Sequence, residues 1–106
     1  MYGTIARMNG KPGALELFRL QESQRRPEGI LGTYIFQMDG DPHEFWAVVV
    51  FQDRESYQKN AQSPEQDREY RALRALLLEE PEWHDGEIVF DGFQFKQKER
   101  SNVRAE

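Results

Sequence analysis

The chain has no cysteine among its 106 residues. That excludes disulfides, iron–sulfur clusters, thiolate zinc sites and cysteine nucleophiles together. Histidine is nearly as scarce. His43 and His84 are the two present, and neither sits in a cluster with metal-ligand spacing. No glycine-rich phosphate loop or dinucleotide fingerprint occurs. Ser23, Ser56, Ser63 and Ser101 fall in helical, capping or tail contexts rather than a nucleophile elbow. The carboxylates map to helix exteriors and caps, which does not indicate a glycosidase pair. Lys and Arg number 14 against 19 Asp and Glu, for a net charge of −5. That acidic balance argues against non-specific nucleic-acid binding, which needs a basic face. No apolar run approaches a membrane span, and Met1 to Arg7 shows no basic-then-apolar signal pattern. The expectation is a cytoplasmic protein with no metal or cofactor, no nucleic-acid partner and no membrane partner.

What is present is concentrated between His43 and Phe51. As a strand, this stretch puts Phe45, Ala47, Val49 and Phe51 on one face and Trp46, Val48 and Val50 on the other. An antiparallel strand with one solvated face alternates apolar and polar residues instead. This strand is therefore expected to be covered on both sides, in a chain with helix enough for one side. A second copy of the chain is the most economical missing layer.

The remaining elements follow from periodicity. Tyr2 to Met8 reads as a strand, and the cluster from Asn9 to Gly13 as a turn. Ala14 to Arg26 reads as a helix, with Ala14, Leu17, Phe18 and Gln21 on one side and Glu22 able to pair with Arg26. Pro27 and Gly29 end it. Ile30 to Met38 reads as a second strand with Ile30, Tyr34, Phe36 and Met38 on one parity, and Gly32 marks a bend or a close approach. The loop from Asp39 to Pro42 makes a hairpin with the third strand.

Asp53 reads as the N-cap of a helix carrying Tyr57 and Ala61. Ser63-Pro64-Glu65-Gln66 starts another helix: capping serine, proline at the first position, glutamine three after the cap. It is expected to run to about Glu79, with Tyr70, Leu73, Leu76 and Leu77 inward and Asp67 paired to Arg71 outside. Pro81 stops it, and Glu87 to Phe95 reads as a fourth strand.

That order is the ferredoxin-like βαββαβ unit, an α+β fold with a four-stranded antiparallel sheet and helices on one face. One domain over residues 1–95 and a polar tail over residues 96–106 are expected. The apolar sheet face without helices implies a homodimer packed sheet against sheet.

Five segments together carry a resemblance. They are Lys11-Pro12-Gly13, Pro27 to Gly32, Glu44 to Phe51, Asp53 to Tyr57, and Trp83 to Val89. With them the chain resembles the antibiotic biosynthesis monooxygenase domain over roughly Tyr2 to Phe90. The resemblance implies a dimeric α+β barrel that oxidises electron-rich aromatics, such as anthrones and quinols, without flavin, haem or metal. A related branch degrades haem with an asparagine, a tryptophan and a histidine. Ala6, Asn60 and Tyr70 stand at those places here, so haem degradation by that route is not implied.

Oxygenation without a cofactor needs a dry aromatic pocket, a base and donors for a developing oxyanion. His84, between Trp83 and Asp85, is the first candidate base, because an imidazole titrates near neutrality; the competing reading is a loop histidine in water. Tyr57 and Tyr70 are candidate catalytic phenols on consecutive helices, and Tyr34 a further pocket phenol. All three also serve as core filler with hydroxyls on backbone. Asn60, three residues after Tyr57, is placed to polarise a substrate oxygen or merely to sit near a helix end. Trp83 and His43 complete the candidate binding set, although His43 at a hairpin end also reads as plain surface. Trp46 reads as a core or dimer anchor, and Arg7 as an interface group. The leading functional expectation is a cofactor-independent monooxygenase of a small aromatic. The alternatives are a non-catalytic binder of small molecules, or an isomerase or decarboxylase on the same fold.

Overall fold

The computed structural model describes residues 1–92. Its elements are β1 (Tyr2–Asn9), α1 (Ala14–Gln24), β2 (Ile30–Gln37), β3 (Glu44–Phe51), α2 (Arg54–Ala61), α3 (Pro64–Arg74) and β4 (Glu82–Glu87). The four strands form one antiparallel sheet in the order β2-β3-β1-β4. This is the ferredoxin-like α+β fold, with the third and first strands central.

The helices start where their caps dictate. Asp53 accepts a hydrogen bond from the Ser56 backbone N–H at 2.8 Å, and Ser63 accepts one from that of Gln66 at 3.1 Å. Each cap satisfies an amide that the first turn leaves without an intrahelical partner. The Ser56 bond also holds the Asp53 carboxyl below its ordinary range. Pro64 occupies the first turn of α3, where its missing N–H costs nothing. Gly29 sits at φ 84°, and a side chain there would run into Ser56. That glycine lets the chain turn tightly into β2 against the start of α2.

One sheet face carries the core. Ala6, Met8 and Ala47 from the strands meet Leu73 and Leu77, with Leu17, Phe18 and Ile35 packed around them. Phe45 and Phe51 are also buried on this face. On the other face the register aligns Tyr34, Val48, Ile5 and His84 across the four strands. Beside them lie Phe36, Trp46, Arg7 and Glu82. Among the described residues no helix covers that row, and Ile5 is 47% exposed, Phe36 54% and Tyr34 65%.

Four expectations are corrected. First, β4 is Glu82–Glu87, not Glu87 to Phe95. The end of α3 dictates this. Leu77 bridges to Gly10, and the Leu78 N–H donates to the Asn9 carbonyl at 2.8 Å. The chain therefore leaves the helix beside the far end of β1. It must run back antiparallel from there, with Glu82 opposite Arg7 and Glu87 opposite Tyr2. Second, α3 ends at Arg74 rather than Glu79, because Leu76 and Leu77 close a tight i→i−3 turn that feeds that pairing. Third, α1 ends at Gln24; Arg25 is extended at φ −150°. Arg26 thus lies outside the helix, and no Glu22–Arg26 ion pair occurs among the described residues. Arg71 and Asp67 do pair, at 3.0 Å.

The fourth correction reaches the site. A bulge interrupts β2: Ile30 opposes Phe51, yet Gly32 opposes Val50, so Leu31 is an extra residue. One extra residue moves every following side chain to the other face. Ile30, Thr33 and Ile35 therefore face the helices, while Tyr34 and Phe36 face away. The polar tail expected over residues 96–106, like the end of the domain expected at residue 95, lies outside the described residues.

Candidate functional site

Between the sheet and the helices lies a cavity of about 490 Å³. Small side chains on the strands make it. Thr4 and Ala47 leave space where larger residues would meet the helices. Met8, Phe18, Ile35, Val49, Phe51 and Leu73 form apolar wall. Its volume falls in the range of pockets that take one small organic molecule. Two polar groups interrupt the wall, and α2 contributes a residue to each, one helical turn apart.

The first centres on Tyr57. Its ring packs 5.3 Å from that of Tyr2 and 5.6 Å from that of Phe51. Its hydroxyl donates to Asp85 Oδ1 at 2.8 Å. Burial and the neighbouring Asp85 carboxylate push the phenol up to about 12, against a smaller opposing effect from the Thr4 hydroxyl. Tyr57 is thereby held as a neutral hydrogen-bond donor.

The second centres on Arg25, just past α1. Its guanidinium grips Glu69 with two bonds of 2.8 Å, from Nε and Nη2. It also donates to Asn60 Oδ1 at 3.0 Å and to Gln66 Oε1 at 3.2 Å. Asn60 Nδ2 in turn donates to Gln66 Oε1 at 3.2 Å. The glutamine of the expected capping box thus serves this network. The bidentate pair with Glu69 raises the Arg25 guanidinium above its ordinary value. The result is a fixed orientation for the Asn60 amide.

Of the residues expected at the site, Tyr57, Asn60, Tyr70 and Trp83 come together on the cavity wall. Tyr70 and Trp83 pack ring against ring at 6.2 Å. The other three do not join them. Tyr34 lies on the opposite face because of the bulge. His84 lies on that face too, opposite Ile5 within β4, exposed and 3.9 Å from Glu82. It is a strand residue rather than a loop residue, and Asp85 points the other way, into the cavity. His43 is exposed at the β2–β3 hairpin. Among the described residues, no three His, Asp or Glu side chains gather as a metal-holding group.

Arg25, Gln66, Glu69 and Asp85 also line the site but were not singled out as site residues by sequence reasoning. The first three meet only through tertiary packing, and no spacing announces them. Asp85 had a readable signal: with β4 placed correctly, its parity puts it opposite Thr4 on the helix face.

The family model for antibiotic biosynthesis monooxygenase matches residues 1–72. The chain belongs to the antibiotic biosynthesis monooxygenase family. Solved structures of the same fold agree. One is an antibiotic biosynthesis monooxygenase, 21% identical, with TM-score 0.69, covering 84% of this chain and 99% of that one. Another is a variant of SnoaB, a cofactor-independent oxygenase from Streptomyces nogalater. It is 16% identical with TM-score 0.71, over 85% of this chain and 94% of that one. A conserved protein from Methanosarcina mazei is 18% identical with TM-score 0.70, over 80% and 89%. At such identities the likeness shows the fold. A search of curated proteins finds no match. Within this antibiotic biosynthesis monooxygenase domain, no helix among the described residues is long and apolar enough to cross a membrane.

Proposed function

We propose that the chain is a cofactor-independent monooxygenase that oxidises a quinol-like or anthrone-like aromatic with molecular oxygen, as a homodimer joined through its uncovered sheet faces. The observation that carries this reading is the cavity. It is large enough for a few fused rings, walled by Phe18, Phe51, Tyr57, Tyr70 and Trp83, with hydrogen-bonded polar groups around Tyr57 and around Arg25. Such a substrate supplies its own electrons. Its hydroxyl or activated C–H loses a proton, and the electron-rich anion reduces oxygen. One oxygen atom enters the ring system, and the other leaves as water with two substrate hydrogens. The protein's part is to hold the rings, exclude water and orient donors toward the developing oxyanion. The fixed amide of Asn60 suits the donor role, Tyr57 holds the Asp85 carboxylate at the cavity wall, and Tyr70 and Trp83 suit stacking on the rings. His84, His43 and Tyr34 take no place in this assignment, since one chain keeps all three away from the cavity.

The test is oxygen consumption by purified, metal-stripped protein with hydroquinones, naphthols and anthrones. Uptake above the uncatalysed rate is expected, with Tyr57→Phe slower than wild type and His84→Gln unchanged. A second reading has its own support: no histidine lines the cavity, which suits a binder that performs no chemistry. Binding without uptake would favour it. Turnover that persists under nitrogen would point to isomerase or decarboxylase chemistry.

A further inference from the structure

The Tyr57 hydroxyl occupies one oxygen of the Asp85 carboxylate. Among the described residues nothing else bonds that carboxylate, and it lies on the cavity wall with Trp83. We propose that Asp85 Oδ2 is the acceptor for the hydroxyl of a neutral phenol, so that the cavity selects the protonated form of a hydroxyaromatic ligand. The proposal takes its ligand class from the proposed function, but it concerns binding alone.

The argument is one of donors and acceptors. A carboxylate only accepts hydrogen bonds, and a phenol O–H donates one. Bonds to a charged partner are the stronger kind. An ionised phenol has lost its donor, and its oxygen would face a carboxylate of like charge; Asp85 is exposed at the mouth of the cavity, so the lost hydrogen bond outweighs the screened repulsion. Tyr57 reinforces the arrangement. Its own proton is committed to Oδ1, which leaves Oδ2 for the ligand. Tyr57, Thr4 and Tyr2 offer no positive charge to relieve the repulsion; Arg54 lies over the Tyr2 ring, at 5.4 Å from its centroid. The other charged groups on the wall are Glu22, Arg25, Asp67 and Glu69. Arg25 is the cation that would prefer a phenolate, but four of its five N–H donors are already given to Glu69, Asn60 and Gln66.

The test uses a nitrophenol that ionises near neutrality and reports its ionisation by absorbance. Its dissociation constant is measured across its own titration for wild type, Asp85→Asn and His84→Gln. The proposal expects wild type to bind the neutral form about tenfold more tightly than the ionised form. Asp85→Asn, whose amide both donates and accepts, should bind the two forms within about threefold. His84→Gln should behave as wild type. Asp85→Ser replaces Asp85→Asn if melting shows that variant unfolded.

Equal binding of both forms by wild type would overturn the proposal. So would a preference for the ionised form, which would place the hydroxyl at Arg25, and so would the absence of nitrophenol binding. Loss of the preference in His84→Gln would overturn it as well. Oxygen uptake is read in parallel. Uptake without form selection sinks the Asp85 assignment and leaves the monooxygenase reading standing; form selection without uptake does the reverse.

Discussion

The two faces of the sheet are built from the same strands and are both apolar, yet they suit different occupants. On the helix-facing side the central strands carry Thr4, Ala6 and Ala47, small residues over which α1, α2 and α3 arch and leave a concave space. On the other side the same strands carry Ile5, Trp46, Val48 and Val50, with Tyr34 and Phe36 beside them. A concave apolar surface encloses a small molecule. An exposed apolar face of this kind is suited to a partner surface such as a copy of itself. Hydrophobicity alone therefore does not locate the site. The volume of the side chains over the two central strands does.

Neighbouring residues on β1 allow that contrast to be broken most sharply. Ala6 is fully buried under the helices, whereas Ile5 beside it is half-exposed on the other face. Ala6→Asp places an unpaired charge in the core and should cost about 4 kcal/mol, enough to leave much of the chain unfolded. Ile5→Asp should leave the fold and its melting cooperative but split the proposed dimer, read as a monomer by sedimentation at micromolar concentration. If Ile5→Asp also unfolds the chain, folding depends on the partner. If it stays dimeric, the sheet face is not the interface.

Most of this architecture is legible in the sequence, and its failures share a cause. The caps at Asp53 and Ser63 are local chemistry, so their residues announce them. The apolar character of β3 on both faces is equally local. Two features were not local. Leu31 is the extra residue of a bulge in the pairing of β2 with β3, and nothing in Ile30-Leu31-Gly32 says on which side the parity breaks. That single residue moves Tyr34 out of the site. β4 likewise begins at Glu82 because Leu77 and Leu78 dock on the end of β1. Glu-Trp-His-Asp-Gly-Glu has little strand propensity, while Ile88-Val89-Phe90 has more, so the pattern favours the wrong segment. The same slip brought His84 forward and left Asp85 behind. The Arg25 network was beyond reach for the same reason: Arg25 follows α1, Asn60 lies on α2 and Gln66 and Glu69 on α3, and only packing brings them together.

Two arginines sharpen the comparison at smaller scale. Arg7 and Arg25 each hold glutamate, but on opposite faces. Arg7 reaches Glu44 at 3.1 Å and Glu82 at 3.5 Å on the uncovered side. Arg25 grips Glu69 within the cavity wall. Arg25→Met leaves the Glu69 carboxylate and the Asn60 and Gln66 amides with unmet bonds. It should lower stability by about 1–2 kcal/mol in urea denaturation. It should also weaken nitrophenol binding, since the Asn60 amide becomes free to rotate. Arg7→Met should leave monomer stability nearly unchanged and alter the salt dependence of dimerisation instead. Equal losses of stability from both variants would show that the cavity network is an ordinary surface ion pair.

The smallest expected effect is confined to alkaline pH, and it tests whether Tyr57 is enclosed as the cavity requires. Its phenol is raised from 10.0 to about 12, chiefly by burial and then by Asp85. A group whose folded value is raised holds its proton more tightly in the folded chain than in the unfolded one. Between the two values the folded state therefore binds more protons, and stability falls as pH rises. The contribution is complete below the unfolded value near 10 and is lost as pH climbs toward 12. Denaturation of wild type and Tyr57→Phe at a series of pH values should therefore give curves that are parallel below pH 10 and converge above it. On the helix-facing side, a phenol that resists ionisation marks a space from which water is largely withheld. Curves that stay parallel through the alkaline range would mean that Tyr57 meets solvent as freely as Tyr34 does on the other face, and the cavity would lose its claim to be a site for water-excluding chemistry.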